Sequence, residues 1–349
     1  MKILGIKDKH AEITACVRDH VESFASSCHQ IEWARGNECL DGYDAIFLHY
    51  SMPLSIPLPT RWKREIARFT GFKIALRQDE YQYTNLVGAA LEGFDLVFTC
   101  VPIESIGNVY PGLKCKFVEV LTGYVPKRLE CVERTRLTDR PITVGYRGRE
   151  LSPAYGRLGR QKYTLAVAAE WEARARGVPT SIATSSEARL QGDSWDTLLR
   201  SSKVVLGTES GSNVFDFDNR LYERFGCPVG SQWRDERTWE SEYKTHVEHL
   251  DGRDAILNQV SPRVFEAAAH GTAMALIEGS YSGVVRPLEH YIPIKEDLSN
   301  LVEVFNAFED VGAMQAMADR AHADVIASGR WSYRNFIALF DSCVNELRR

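Results

Sequence analysis

The chain has 349 residues, 44% hydrophobic and 26% charged, and its 47 acidic side chains outweigh 42 Lys and Arg for a net charge of −5. That balance is globular and long enough for two cores; it excludes extended disorder and a broad basic footprint for nucleic acid or anionic lipid. No apolar run reaches the roughly 18 residues of a spanning helix, and "MKILGIKDKH" turns polar too early for the apolar stretch of a signal peptide. The cysteines, at positions 16, 28, 39, 100, 115, 131, 227 and 343, contain no C-x-x-C pair. Their spread predicts reduced, structural thiols in a cytoplasmic protein, not a disulfide frame or a zinc site.

The first 121 residues alternate apolar runs with helix-like segments. "KILGI", "AIFLHY", "KIALRQ", "LVFTC" and "FVEVL" are nearly continuous in Ile, Val, Leu and Phe, as strands covered on both faces must be. "RWKREIARF" and "YTNLVGAALEGF" place apolar residues every three or four positions, which fits crossover helices. Together they predict a doubly wound α/β unit over 1–121. Residues 122–140 are polar, charged and proline-bearing and read as a linker. A second α/β series over 141–328 runs from "ITVGYRG" through "TSIAT" and "KVVLGT" to "AMALIEG" and "YIPI", with an insertion at about 213–259. The closing stretch, 329–349, puts Phe336, Phe340, Cys343, Val344 and Leu347 on one face of an amphipathic helix, expected to pack back on the first domain.

Three stretches of the second series carry chemistry. In "SPRVFEAAAHG", Ser261 is a good N-cap and Pro262 suits the first helical position, so free amides and the positive dipole end form a ready anion site. Arg263 can add a bidentate phosphate contact, and Glu266, one turn on, can accept two ribose hydroxyls. "ITVGYRGRELSPAYGRLGRQK" runs from a strand into a loop bearing Arg147, Arg149, Arg157, Arg160 and Lys162. Ligands of open α/β sheets bind beyond the carboxyl ends of strands, where such a loop lies. In "KVVLGTESGSNVFDFD", Glu209 stands at a strand exit and can hydrogen-bond sugar hydroxyls. Ser210 and Gly211 allow close backbone approach.

These stretches resemble the second half of glycosyltransferases with the two-Rossmann-domain architecture called GT-B, within the retaining glycogen-synthase and lipopolysaccharide-type family and a bacterial surface-polysaccharide subgroup. "GRLGRQK" has the spacing of that family's G-R-L-x-x-x-K element, "VVLGTESGS" resembles its strand and glycine-rich loop, and "FEAAAHGTAMAL" its donor helix and following strand. The family pairs two glutamates eight residues apart, whereas Asn258 stands eight before Glu266. Glu209 is therefore expected in the place of the first glutamate, as a catalytic residue that positions the sugar. The resemblance implies a hexosyltransferase-like enzyme that moves a sugar from a nucleotide-sugar donor, as co-substrate and with no other cofactor, to a hydroxyl acceptor, with retention and without metal. The implied donor-binding set is Arg147, Arg149, Arg157, Lys162, Glu209, Ser210, Gly211, Ser261, Arg263, Glu266, Tyr281 and Ser282. The implied role is polysaccharide or glycoconjugate synthesis, the acceptor lipid-linked or a glycan. A nucleotide-sugar epimerase and a non-catalytic nucleotide-sugar-binding subunit are the competing readings.

On the first domain the expected catalytic candidates lie at strand exits: Asp79, beside Glu80 in "RQDEY", and His49 in "FLHYS". The sequence D-x-D at Asp216–Asp218 invites a metal reading, but it falls too late in the chain for the GT-A arrangement that uses it. "RWKREIARF" supplies a basic face through which a cytoplasmic protein could sit peripherally on the inner membrane surface, although a solvated crossover helix is the better explanation.

Overall fold

The computed structural model describes residues 1–8, 10, 14–36, 38–52, 60–226 and 229–348. Its described strands form two sheets, both entirely parallel. The first contains β1 (Lys2–Ile6), β2 (Gln30–Trp33), β3 (Ala45–Leu48), β4 (Phe72–Leu76), β5 (Leu96–Thr99) and β6 (Lys116–Glu119), in the spatial order β2-β1-β3-β4-β5-β6. The second contains β7 (Ile142–Arg147), β8 (Thr180–Ala183), β9 (Ser202–Gly207), β10 (Ala273–Ile277) and β11 (Ile292–Ile294), in the order β11-β10-β9-β7-β8. The protein is thus an α/β structure of two Rossmann-like units.

The burial pattern explains which segments became strands. Every residue of β3, β5 and β10 is buried, so both faces of those strands need apolar side chains. The strand β2 was not anticipated. Its "QIEW" lies on the sheet edge with an exposed or half-buried residue at each position, so it lacks the continuous apolar signal.

One face of the first sheet is closed by the last helix, Tyr333–Glu346: Phe336, Ile337, Phe340 and Val344 pack with Ile3, Phe47, Ile74 and Phe98. The chain therefore returns to its starting unit. The outgoing and returning segments run side by side, with Val125 N–H donating to the Trp331 carbonyl (2.8 Å) and Tyr333 N–H to that of Val125 (3.1 Å).

A further set of contacts joins the units through residues 213–259. This segment has its own small core around Trp233, Trp239, Tyr243 and Phe225. It reaches across to the first unit, where Asp216 N–H donates to the Tyr81 carbonyl (2.8 Å) and Asn85 Nδ2 to Asp218 (2.9 Å). Ala255 and Leu257 enter the first unit's core directly. The D-x-D motif is spent on this clasp: the Asp216 carboxylate accepts from Tyr222 N–H (2.9 Å) at the start of helix Arg220–Phe225, and Asp218 pairs with Asn85 and Arg220.

Candidate active site

In the second sheet β7 has β8 on one side and β9 on the other, so the chain reverses its direction of travel between β7 and β9. The crevice outside the carboxyl ends of those two strands is where an open α/β sheet takes its ligand. Three segments converge there: the loop leaving β7 with the helix Gly156–Arg176, the loop leaving β9, and the start of the helix Pro262–Ala269.

The loop after β9 is held by backbone pairing. Ser210 N–H donates to the Gln259 carbonyl and Gln259 N–H to that of Ser210, both at 2.8 Å. Gly211 has φ +100°, and a Cβ there would lie 2.0 Å from the Leu257 carbonyl oxygen, so only glycine permits the approach. Glu209 is nearly inaccessible at 3% exposure. Its carboxylate accepts from Tyr281 N–H (2.6 Å), Ser280 Oγ (3.1 Å) and Asn258 Nδ2 (2.8 Å). The pairing brings Glu209 against Asn258, the residue eight before Glu266. Tyr281 and Ser282 contribute backbone and hydroxyl here rather than an open side chain. The Tyr281 ring is buried with its hydroxyl on the Ile277 carbonyl (2.6 Å), and Ser282 Oγ accepts from Val260 N–H (3.1 Å). Both residues have positive φ, 45° and 53°, a strained turn that the Glu209 contacts hold in place.

The five cations after β7 divide into two groups. Arg147 turns back on its own sheet and donates to the carbonyls of Tyr146 (2.8 Å), Ser181 (2.6 Å) and Ala188 (3.1 Å). Arg157, expected at the diphosphate, instead makes a bidentate pair with Glu240 (2.6 and 2.7 Å) and lies over the Tyr243 ring at 4.2 Å. Arg160 is buried against Trp233, Glu236 and Trp239. The inserted segment thus consumes Arg157 and Arg160, which the sequence could not disclose because their partners lie about 80 residues downstream.

Lys162 and Arg149 form the second group. Arg149 is exposed. The Lys162 ammonium reaches across the crevice toward the Glu209 carbonyl (3.4 Å). Burial, with Arg263 and Arg149 nearby, lowers the Lys162 pKa to about 8, while Asp79 of the first unit pulls the other way.

Arg263 and Glu266 border the same crevice. Ser261 caps the helix as expected, its Oγ accepting from Arg263 N–H (3.4 Å). The Arg263 guanidinium lies over the Trp195 ring at 5.1 Å and donates to the Arg147 carbonyl. Glu266 accepts from the Trp195 indole N–H at 2.7 Å and has Arg128 at 3.8 Å. Burial raises its pKa to about 6 against the opposing pull of Trp195, Arg128 and Arg263. Trp195, Arg128 and Asn258 are the site residues that sequence reasoning missed. Only the eight-residue spacing of Asn258 from Glu266 offered a signal.

On the first unit the strand exits behave differently. His49 is fully buried, its Nε2 2.7 Å from His20 Nδ1 and its Nδ1 accepting from Ser51 N–H (3.1 Å). Burial, reinforced by His20 and Arg77, holds its pKa well below the usual histidine value. His49 therefore cannot reach a substrate from this position, contrary to the acid–base role expected of it. Glu80 is buried as well, accepting from Thr99, Tyr110 and Cys100 N–H. Asp79 remains exposed at φ +54°, its carboxylate accepting from Tyr81 Oη (3.0 Å) and facing Lys162 across the two units. A non-glycine residue held left-handed at a strand exit is the kind of strain that concentrates at functional sites.

No protein-family model matches the sequence, and no curated protein shows significant sequence similarity to it. Solved structures do match the fold. An alpha-glucosyltransferase in complex with UDP and a 13-mer DNA containing an HMU base aligns over 100% of both chains, with TM-score 0.58 and 9% identity. The same kind of enzyme with UDP-glucose and DNA containing an abasic site aligns over 99% of this chain and 98% of that one, with TM-score 0.54 and 9% identity. The Anabaena HepE protein in complex with UDP aligns over 99% of this chain and 100% of that one, with TM-score 0.50 and 12% identity. The chain has the two-Rossmann fold of the GT-B glycosyltransferases, and its structural neighbours are members of that class.

Proposed function

We propose that the protein is a glycosyltransferase that takes a sugar from a nucleoside-diphosphate donor and passes it to a hydroxyl acceptor. The observation that carries this reading is the Lys162 ammonium, half-buried near Arg149 and Arg263 at the β7/β9 crevice and within reach of the Glu209 loop. A diphosphate placed there meets fixed positive charge and the positive dipole end of the Ser261-capped helix. Glu266, already oriented by Trp195, is placed to accept the ribose hydroxyls. The fold shared with enzymes captured with UDP and UDP-glucose supports the donor class.

In the transfer, charge builds on the departing diphosphate, and Lys162, Arg149 and Arg263 stabilise it without reorganising. The Glu209 loop, tied to Asn258 and the 280–282 turn, shapes the floor under the donor sugar. Asp79, across the units, faces the same space and would orient the acceptor hydroxyl or take its proton. Retention and independence from metal belong to this proposal, as does a glycan or lipid-linked acceptor. Thermal unfolding against UDP, GDP, ADP, CMP and dTDP tests it. Ligand at a hundred times its Kd adds about 2.7 kcal/mol, a shift of a few degrees for a chain of this size. A shift with one nucleoside diphosphate, lost in Glu266→Ala and kept in EDTA, sustains the reading. No shift with any of them overturns it.

A further inference from the structure

A second cluster of ligand-type side chains lies far from the crevice, where the last helix closes over the first sheet. Cys28, His29 and Asp341 each offer one ligand atom, and those atoms lie within 4.8 Å of one another. The Cys28 sulfur is 3.9 Å from His29 Nε2, and His29 Nε2 is 4.0 Å from Asp341 Oδ1. Ligands about 2.3 Å (sulfur) and 2.0 Å (nitrogen or oxygen) from a tetrahedral zinc sit roughly 3.3–3.5 Å apart. The two sides that meet at His29 need to contract by about half an ångström to reach that geometry, and the third, sulfur to carboxylate, is at most 4.8 Å.

The surroundings orient the three groups. The Asp341 carboxylate is fixed by Cys28 N–H (2.8 Å) and by the Ser27 hydroxyl, and the same hydroxyl accepts from His29 N–H (3.1 Å). His29 is buried; its Nδ1 lies 3.3 Å from the Met1 amino group, the Cys28 sulfur is 4.0 and 3.9 Å from Nδ1 and Nε2, and Nε2 is the nitrogen that faces the carboxylate. Cys28 is exposed, so an ion can enter from solvent. Outer contacts like those on the Asp341 carboxylate are what hold metal ligands in position.

We infer that Cys28, His29 and Asp341 form a divalent transition-metal site, of zinc type, that staples the last helix to the turn before β2. A thiolate, an imidazole and a carboxylate suit zinc, and a water completes the tetrahedron. Thiolate and carboxylate together balance the charge of the ion. On binding, the Cys28 sulfur gives its proton to solvent, and the ion bonds to sulfur, nitrogen and oxygen without any redox step. Asp341 lies 313 residues beyond Cys28, so no spacing motif could reveal the set. The site is remote from the donor crevice and stands independently of the proposed transfer reaction.

Cobalt(II) titration of the chelator-stripped full-length protein tests it. One equivalent should produce thiolate-to-metal charge transfer and tetrahedral d–d absorption, both lost in Cys28→Ser and weakened in Asp341→Asn, and zinc should displace the cobalt. Cys39→Ser, at another exposed thiol, should leave the spectrum unchanged. Zinc should also raise the unfolding midpoint of the wild type and not of Cys28→Ser. Absence of the charge-transfer band, or a band that survives Cys28→Ser, overturns the site.

Discussion

The carboxyl edges of the two sheets carry similar residues and use them in opposite ways. At the edge of the first sheet, His49 and Glu80 are closed in by neighbours and Arg77 donates to the Met52 carbonyl, which leaves Asp79 facing the other unit. At the edge of the second, Lys162 and Arg149 are without carboxylate partners among the described residues, while Glu266 is held by Trp195 and Arg128. A polar residue at a strand exit is therefore not yet a site residue. What separates the two cases is whether the fold has already satisfied the group. By that criterion the proposed donor site falls on the second unit, and the first offers it one carboxylate.

The comparison can be broken at its most exposed point first. Asp79→Asn keeps the shape and removes the charge, so turnover should fall on the order of 100-fold while donor affinity changes by less than about twofold. Steady-state kinetics with a separate donor titration checks it, and an equal loss in both would make Asp79 part of the donor site instead. Glu209→Ala leaves Asn258 and Tyr281 N–H without their acceptor. It should cost about 3 kcal/mol of stability in urea unfolding, since each unpaired buried group costs about 1–3 kcal/mol. A loss near zero would mean that the 280–282 turn holds without it.

The pH dependence sharpens the contrast. Glu266, with its pKa raised to about 6 by burial, loses its acceptor charge as pH falls through that value. Lys162, lowered to about 8, loses its positive charge as pH rises through that value. Affinity for UDP should therefore be highest between these limits and decline outside them by up to about tenfold per pH unit. Lys162→Arg should remove the alkaline limb, because a guanidinium stays charged. The smallest effect belongs to Arg157→Ala: a half-exposed ion pair and a ring contact are lost, about 1 kcal/mol in stability, with donor affinity unchanged.

Strands buried on both faces announced themselves in the sequence, as "AIFLHY" and "AMALIEG" did, because burial dictates apolar residues at every position. The Ser261–Pro262 helix start was legible for the same reason: capping is local chemistry. The edge strand β2 was not, since half its contacts are with solvent. The basic run Arg147–Lys162 shows the limit most clearly. Its composition indicated an anion pocket, yet Arg147 is taken by nearby carbonyls and Arg157 and Arg160 by the inserted segment. Which cations stay free is decided by long-range pairing that no local pattern encodes. Trp195, which orients Glu266 from another helix, was invisible for that reason too.

The division within that basic run gives the most direct test. Calorimetric titration of UDP at pH 7 into wild type, Lys162→Ala and Arg157→Ala compares a free cation with a consumed one. The account predicts binding to the wild type, a loss of tenfold or more in Lys162→Ala, and a change within about twofold in Arg157→Ala, since a charged hydrogen bond is worth about 1.5–3 kcal/mol and each 1.4 kcal/mol is tenfold. Equal losses in the two variants, or undiminished binding to Lys162→Ala, would contradict it.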